Sequence, residues 1–238
     1  MLGECKNEKS LHAKLSEWRN LKDTQVLIHT INPAYENSSP LFLKDACSVF
    51  RQWDVLSSSL IDLDKIKHVR DKMENLRSWE ELRRDTGIFF EIGFVLDFAP
   101  QNILGTFAED VWFPNHAGIN NRNTYALTDA ILSGKGKPGG RHAWPGENGH
   151  SYNEINSPKY ILNRSDLQRH NEILVVCKPF INIYPGLPPT EPLKIKKIIY
   201  APKRVTGHPL FRSMERKAKK RVINKLAALN PGVPMTEI

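Results

Sequence analysis

Asp166-Leu167-Gln168-Arg169-His170-Asn171-Glu172-Ile173-Leu174-Val175-Val176 runs from polar residues straight into a β-branched apolar strand, with one carboxylate, Glu172, at the join. A short apolar run bounded by polar residues reads as a buried strand. A carboxylate at the mouth of such a strand is held rigidly and reaches a cleft. We therefore read 172–176 as a core strand and Glu172 as the residue around which the chain is organised.

Outward from it, further strands follow the same signals. Gln25-Val26-Leu27-Ile28-His29-Thr30-Ile31 is a buried strand stopped by Asn32-Pro33, and 193–200 is a late strand reached through a Pro-rich connection over 185–192. Residues 87–98 form the most apolar strand, apolar on both faces and so central. Residues 102–106 pair briefly. The segment 44–56 is ambiguous and ends in a short strand.

Helices are expected over 9–21, where Leu11, Leu15, Trp18 and Leu21 share a face, and over 209–229. In the latter, Phe211, Met214, Ala218, Val222 and Leu226 make an apolar side inside a surround that includes Lys219, Lys220, Arg221 and Lys225. Ser59-Leu60-Ile61-Asp62 has the form of a capping box, so Ser57-Ser58-Ser59 is expected to end a strand and open a helix with Leu60, Leu63, Ile66, Val69 and Met73 on one stripe. Ser78-Trp79-Glu80-Glu81 starts a second helix in the same way, and 124–133 is a third. Residues 134–153 are rich in Gly, Pro and Lys and read as a surface loop.

The chain has 238 residues, 40% of them hydrophobic and 25% charged, enough for one generous domain with a real core. The net charge of +8 favours acidic partners: nucleic acid, an anionic cofactor or an acidic protein surface. Three cysteines, Cys5, Cys47 and Cys177, have no CxxC spacing. No run of about 18–20 apolar residues is present, so no membrane span is expected, and the start lacks the apolar core of a signal peptide. Either the protein stays inside its maker or another module delivers it.

The motifs Val26-Leu27-Ile28-His29-Thr30, Leu56-Ser57-Ser58-Ser59-Leu60 and His170-Asn171-Glu172-Ile173-Leu174 stand in one order. In that order they resemble the mono-ADP-ribosyltransferase family, the bacterial toxins and effectors that move ADP-ribose from NAD onto a target. That family carries Arg or His on its first core strand, Ser-Thr-Ser on the next and Glu at the start of a later one. Residues 87–92 and 193–200 resemble the strands that follow the serine motif and close the core.

The resemblance implies an α+β fold, a split mixed or antiparallel β core of the ADP-ribosyltransferase type flanked by helices, with NAD in the cleft between the halves. It covers 25–202 as the catalytic domain, leaving an N-terminal helix over 1–24 and a basic C-terminal helix and tail over 203–238. Glu172 would be the catalytic carboxylate and Ser57 would orient it. His29, Thr30, Ser57, Ser59 and Phe90 would hold NAD, His29 on a ribose hydroxyl or, if protonated, on a phosphate. Trp53 or Phe90 would stack on nicotinamide. Arg164, Arg169 and His170 would recognise the acceptor.

No metal is implied for this chemistry. The family also implies delivery into a target cell, action in its cytoplasm, and an immunity protein in the maker. The sequence departs from the family's serine-motif toxins at His29, where Arg is usual, and at Ser58, where Thr is usual. His170 stands where arginine-modifying members carry Glu or Gln.

Two other readings compete. His142, Glu147, His150 and Asn153 could ligate a divalent ion in a metal-dependent nuclease. The basic terminal helix could serve a nucleic-acid-binding module.

Overall fold

The computed structural model describes residues 8–31, 35–53, 55–65, 92–108, 154–164, 171–184, 186–200 and 216–238. Seven strands form one mixed sheet: β1 (Gln25–Ile31), β2 (Val55–Asp62), β3 (Ile92–Asp97), β4 (Ile103–Phe107), β5 (Glu172–Val176), β6 (Lys194–Tyr200) and β7 (Met235–Glu237). Their order across the sheet is β4-β5-β2-β1-β3-β6-β7. Neighbours are antiparallel except β6 and β7, which are parallel. With helices packed on it, the chain is an α+β protein.

Alternation along the strands sorts the apolar residues into two cores. Leu27, Leu60, Ile92, Phe94 and Ile198 belong to the large cluster on one face. Val26, Ile28, Ile61, Val95 and Ile199 form a smaller cluster on the other. β3 lies between β1 and β6 with five of its six residues buried, which is why its sequence is apolar on both faces. Residues 87–91, expected to belong to the same strand, lie outside the described residues.

Helix α1 (Glu8–Arg19) docks through Leu15 and Trp18, each 2% exposed, and the Trp18 indole N–H donates to the Asn156 carbonyl at 2.9 Å. Helix α2 (Ala46–Gln52) resolves the ambiguous 44–56 segment: Asp45 caps it by accepting the Ser48 N–H at 2.8 Å, and Val49 and Phe50 fall on the core. Helix α3 (Pro158–Arg164) was not anticipated, although its start carries readable signals. Pro158 takes the first helical position and the Ser157 hydroxyl accepts the Tyr160 N–H at 3.1 Å.

Helix α4 (Arg216–Leu229) buries Val222 and Leu226 as expected. Lys219, assigned to its charged surround, is instead 5% exposed. Asn230 joins two helix ends: its carbonyl oxygen accepts the Ala46 N–H at 2.9 Å, and its amide donates to the Leu226 carbonyl at 2.8 Å. Gly232, at φ 82°, turns the chain into β7, which lies beside β6 in the same sheet as 25–200.

The clearest correction concerns the serines. Ser57, Ser58 and Ser59 do not cap a helix; they lie in the middle of β2, Leu60 to Asp62 continue the strand, and helical residues begin only at 63–65, directly after it. The ladder with β1, together with the Asn171 carboxamide on Leu60, satisfies backbone groups that an isolated Ser59-Leu60-Ile61-Asp62 segment would have turned toward a helical start.

Past β5 the chain makes a tight clamp. The Phe180 N–H donates to the Thr190 carbonyl at 2.8 Å, the Thr190 N–H to the Ile181 carbonyl at 2.9 Å, and the Thr190 hydroxyl to the Lys178 carbonyl at 2.6 Å. Within it Phe180 is held at φ 67°, a left-handed conformation that costs an aromatic residue energy, while its ring is 81% exposed. Phe180→Gly is therefore expected to raise stability by about 1 kcal/mol, seen as a higher urea midpoint. A lower midpoint would mean that the ring contributes packing its exposure does not reveal.

Candidate active site

β2 changes partner halfway along its length. Its second half pairs with β1, from Gln25↔Asp62 to Ile28↔Ser59, and its first half pairs with β5, from Val55↔Val176 to Ser58↔Ile173. Beyond Ile28, β1 continues its ladder with β3 alone, through His29↔Phe94, Thr30↔Gly93 and Ile31↔Ile92. The sheet is thus split, with β1 and β2 parting after the Ile28–Ser59 pair.

His29 spans the opening. Its Nδ1 lies 2.9 Å from the Ser57 carbonyl, and because a carbonyl only accepts, Nδ1 carries the proton. The ring stands edge-on to Trp53 at 5.6 Å and to Phe50 at 6.0 Å, and Phe50 in turn packs edge-on against Phe94. Burial among these rings lowers the His29 pKa from 6.5 to about 4, only partly opposed by the Ser57 carbonyl. The imidazole is therefore neutral at physiological pH, with Nε2 as an acceptor. It can take a hydroxyl proton but offers no positive charge to a phosphate, so the protonated role considered above does not fit.

That depression has a measurable consequence. Between pH 6.5 and 4 the unfolded chain binds a proton at His29 that the folded chain does not. The stability contributed at neutral pH is therefore lost as pH falls through this window, by up to roughly 3 kcal/mol. Urea midpoints at several pH values should show this slope, and it should flatten in His29→Asn, which keeps an N–H donor without an ionisable ring. Identical slopes in the two proteins would show that His29 does not titrate differently on unfolding.

On the far side of the split, Glu172 opens β5 and is 2% exposed. It faces Phe107 of β4 on one side. On the other side, extending the β2–β5 register by one pair puts Ser59 beside it. Opposed residues share a face, as do residues two apart. Thr30, Ser57, Ser59 and Glu172 therefore lie on one face of the sheet, and His29 and Ser58 on the other. Thr30 and Ser57 are half-buried, while Ser59 is buried. Gly93, paired with Thr30, has no side chain to crowd that face.

The start of β5 is pinned by a residue that sequence reasoning did not single out. The Asn171 carboxamide accepts the Leu60 N–H at 2.7 Å and donates to the Leu60 carbonyl at 2.8 Å, standing in for a peptide group where the β2–β5 ladder ends. The Ser58 hydroxyl adds a bond to the Ile173 carbonyl at 2.8 Å. In the sequence, an Asn before a strand looks like any loop residue; only the position of Leu60 reveals its use.

The remaining candidates divide. Arg164 ends α3, its guanidinium 2.7 Å from the Tyr160 hydroxyl and 5.4 Å over the Tyr160 ring, on an exposed surface. Trp53, half of the aromatic wall beside His29, is 9% exposed. Phe90, Arg169, His170 and the group His142, Glu147, His150 and Asn153 lie outside the described residues. Among the described residues no set of three or more His, Cys, Asp or Glu could hold a metal ion, and no helix is long and apolar enough to cross a membrane.

Comparison with known proteins gives no match: no protein-family model, no curated protein and no solved structure matches the chain significantly.

Proposed function

We propose that this chain is a toxin- or effector-like mono-ADP-ribosyltransferase that takes ADP-ribose from NAD, releases nicotinamide and modifies a cellular acceptor. One observation carries the reading. The three motifs, far apart in sequence, fall on the adjacent strands β1, β2 and β5, around the place where the sheet splits.

In this reading Glu172 is the catalytic carboxylate. Cleaving the bond between ribose and nicotinamide builds positive charge on the ribose, as in glycoside hydrolysis. A fixed negative charge on that side stabilises the charge-separated state more than the ground state. Thr30, Ser57 and Ser59 share the Glu172 face and supply hydroxyls for the ribose and the carboxylate. By register Ser59 is the nearer serine, while Ser57 is on the diagonal at about 7–8 Å, within reach of a side chain as long as Glu. His29, neutral and fixed in one tautomer on the opposite face, holds the edge of the split through its bond to the Ser57 carbonyl.

The test is release of nicotinamide from NAD by purified protein, with and without cell lysate, followed by transfer of labelled ADP-ribose. Release that needs lysate identifies a macromolecular acceptor, and release without it identifies an NAD glycohydrolase. No release under either condition would end the proposal. Expression in a host cell should also arrest growth in a manner relieved by Glu172→Gln, as expected of a chain whose maker carries an immunity protein.

A further inference from the structure

Phe180 is costly to the fold in two ways: its backbone is left-handed and its ring is 81% exposed. Neither cost is offset by packing, yet the conformation is enforced by the clamp to Thr190 and flanked by Pro179. Strain held in place by surrounding bonds marks a residue kept for something other than stability.

The surroundings indicate the chemistry. Lys178, two residues earlier, reaches back so that its ammonium donates to the Arg51 carbonyl at 2.7 Å, and Arg51 itself is exposed at the end of α2. A protein-binding hot spot usually sits within an apolar patch of several residues. Among the described residues, the other large exposed hydrophobics, Tyr35, Leu43 and Tyr160, lie on other segments, leaving Phe180 as the one on this loop. An exposed ring two residues from Lys178, whose ammonium reaches the Arg51 carbonyl, suits a base with its phosphate alongside.

We propose that Phe180, with Lys178 and Arg51, is a stacking platform for single-stranded nucleic acid. This surface does not depend on the NAD reading, because it is tested by binding and not by turnover. Should both hold, nucleic acid becomes the leading acceptor.

The experiment is fluorescence anisotropy with labelled single-stranded RNA and DNA of about 16 nucleotides, at two salt concentrations. Phe180→Gly should weaken binding about 10-fold or more while leaving the protein at least as resistant to urea, and Phe180→Trp should restore binding. Arg51→Ala should weaken all sequences alike and lower the salt slope by about one. The proposal is overturned if Phe180→Gly binds like the wild type, if a duplex of equal length binds as well as the single strand, or if no probe binds. It is also overturned if an acidic polypeptide binds with the same dependence on Phe180, which would reassign the surface to a protein partner.

Discussion

Glu172→Gln is expected to lower the rate of nicotinamide release by roughly 10²–10³-fold or more, with the far-UV circular dichroism spectrum unchanged. The amide has nearly the shape of the carboxylate, so the start of β5 keeps its packing opposite Phe107. What it loses is the charge. If Glu172 stabilises positive charge as it develops on the ribose, the loss should appear in kcat with little change in KM, because an interaction made mainly in the transition state is being removed. A raised KM at unchanged kcat would make Glu172 a binding residue only. An unchanged rate in a folded variant would remove it from the site altogether.

Asn171→Leu is expected to cost roughly 2–5 kcal/mol of folding stability, since it strands the Leu60 N–H and carbonyl in a buried place where no water replaces the lost partner. Against a typical total of about 5–15 kcal/mol this is a large share, and at this chain length it lowers the melting temperature by about 5–15 °C. Hydrogen exchange should accelerate at the Leu60 amide well before amides at the centre of β1. If the melting temperature and the Leu60 exchange rate both match the wild type, the carboxamide clamp does not hold in solution. Because Asn171 precedes Glu172, a surviving fraction of folded variant should also release nicotinamide more slowly. Under the proposed function, Asn171 would act as a positioning residue whose effect runs through Glu172.

Much of the sheet was legible in the chain. β1 and β5 have the bounds read from sequence, because each is a β-branched apolar run closed off by polar or turn-forming residues. The docking face of α1 and the buried Val222 and Leu226 of α4 were legible for a similar reason: helical spacing of large apolar side chains has few other uses.

β2 was only half legible. Serines have weak strand preference and strong capping chemistry, so Ser57-Ser58-Ser59 with Asp62 reads locally as a helix start. β7 is three residues long between a Pro-Gly turn and the last described residue, and owes its strand form to pairing with β6. α3 had a Ser-Pro start but too few turns for a periodic pattern to stand out.

The sequence by itself determined the chemistry on offer: which strands are apolar enough to be buried, and that a histidine, three serines and a glutamate are carried on them. It could not determine their arrangement. That β2 hands over from β1 to β5, that Ser59 stands beside Glu172, that His29 occupies the opposite face as a neutral imidazole, and that Asn171 locks the join were decided by tertiary structure alone. The physical reason is that strand identity follows from a residue's own burial and branching, whereas register, facing and desolvation belong to pairs of separate segments, from His29 and Ser57, 28 residues apart, to Ser58 and Ile173, 115 apart.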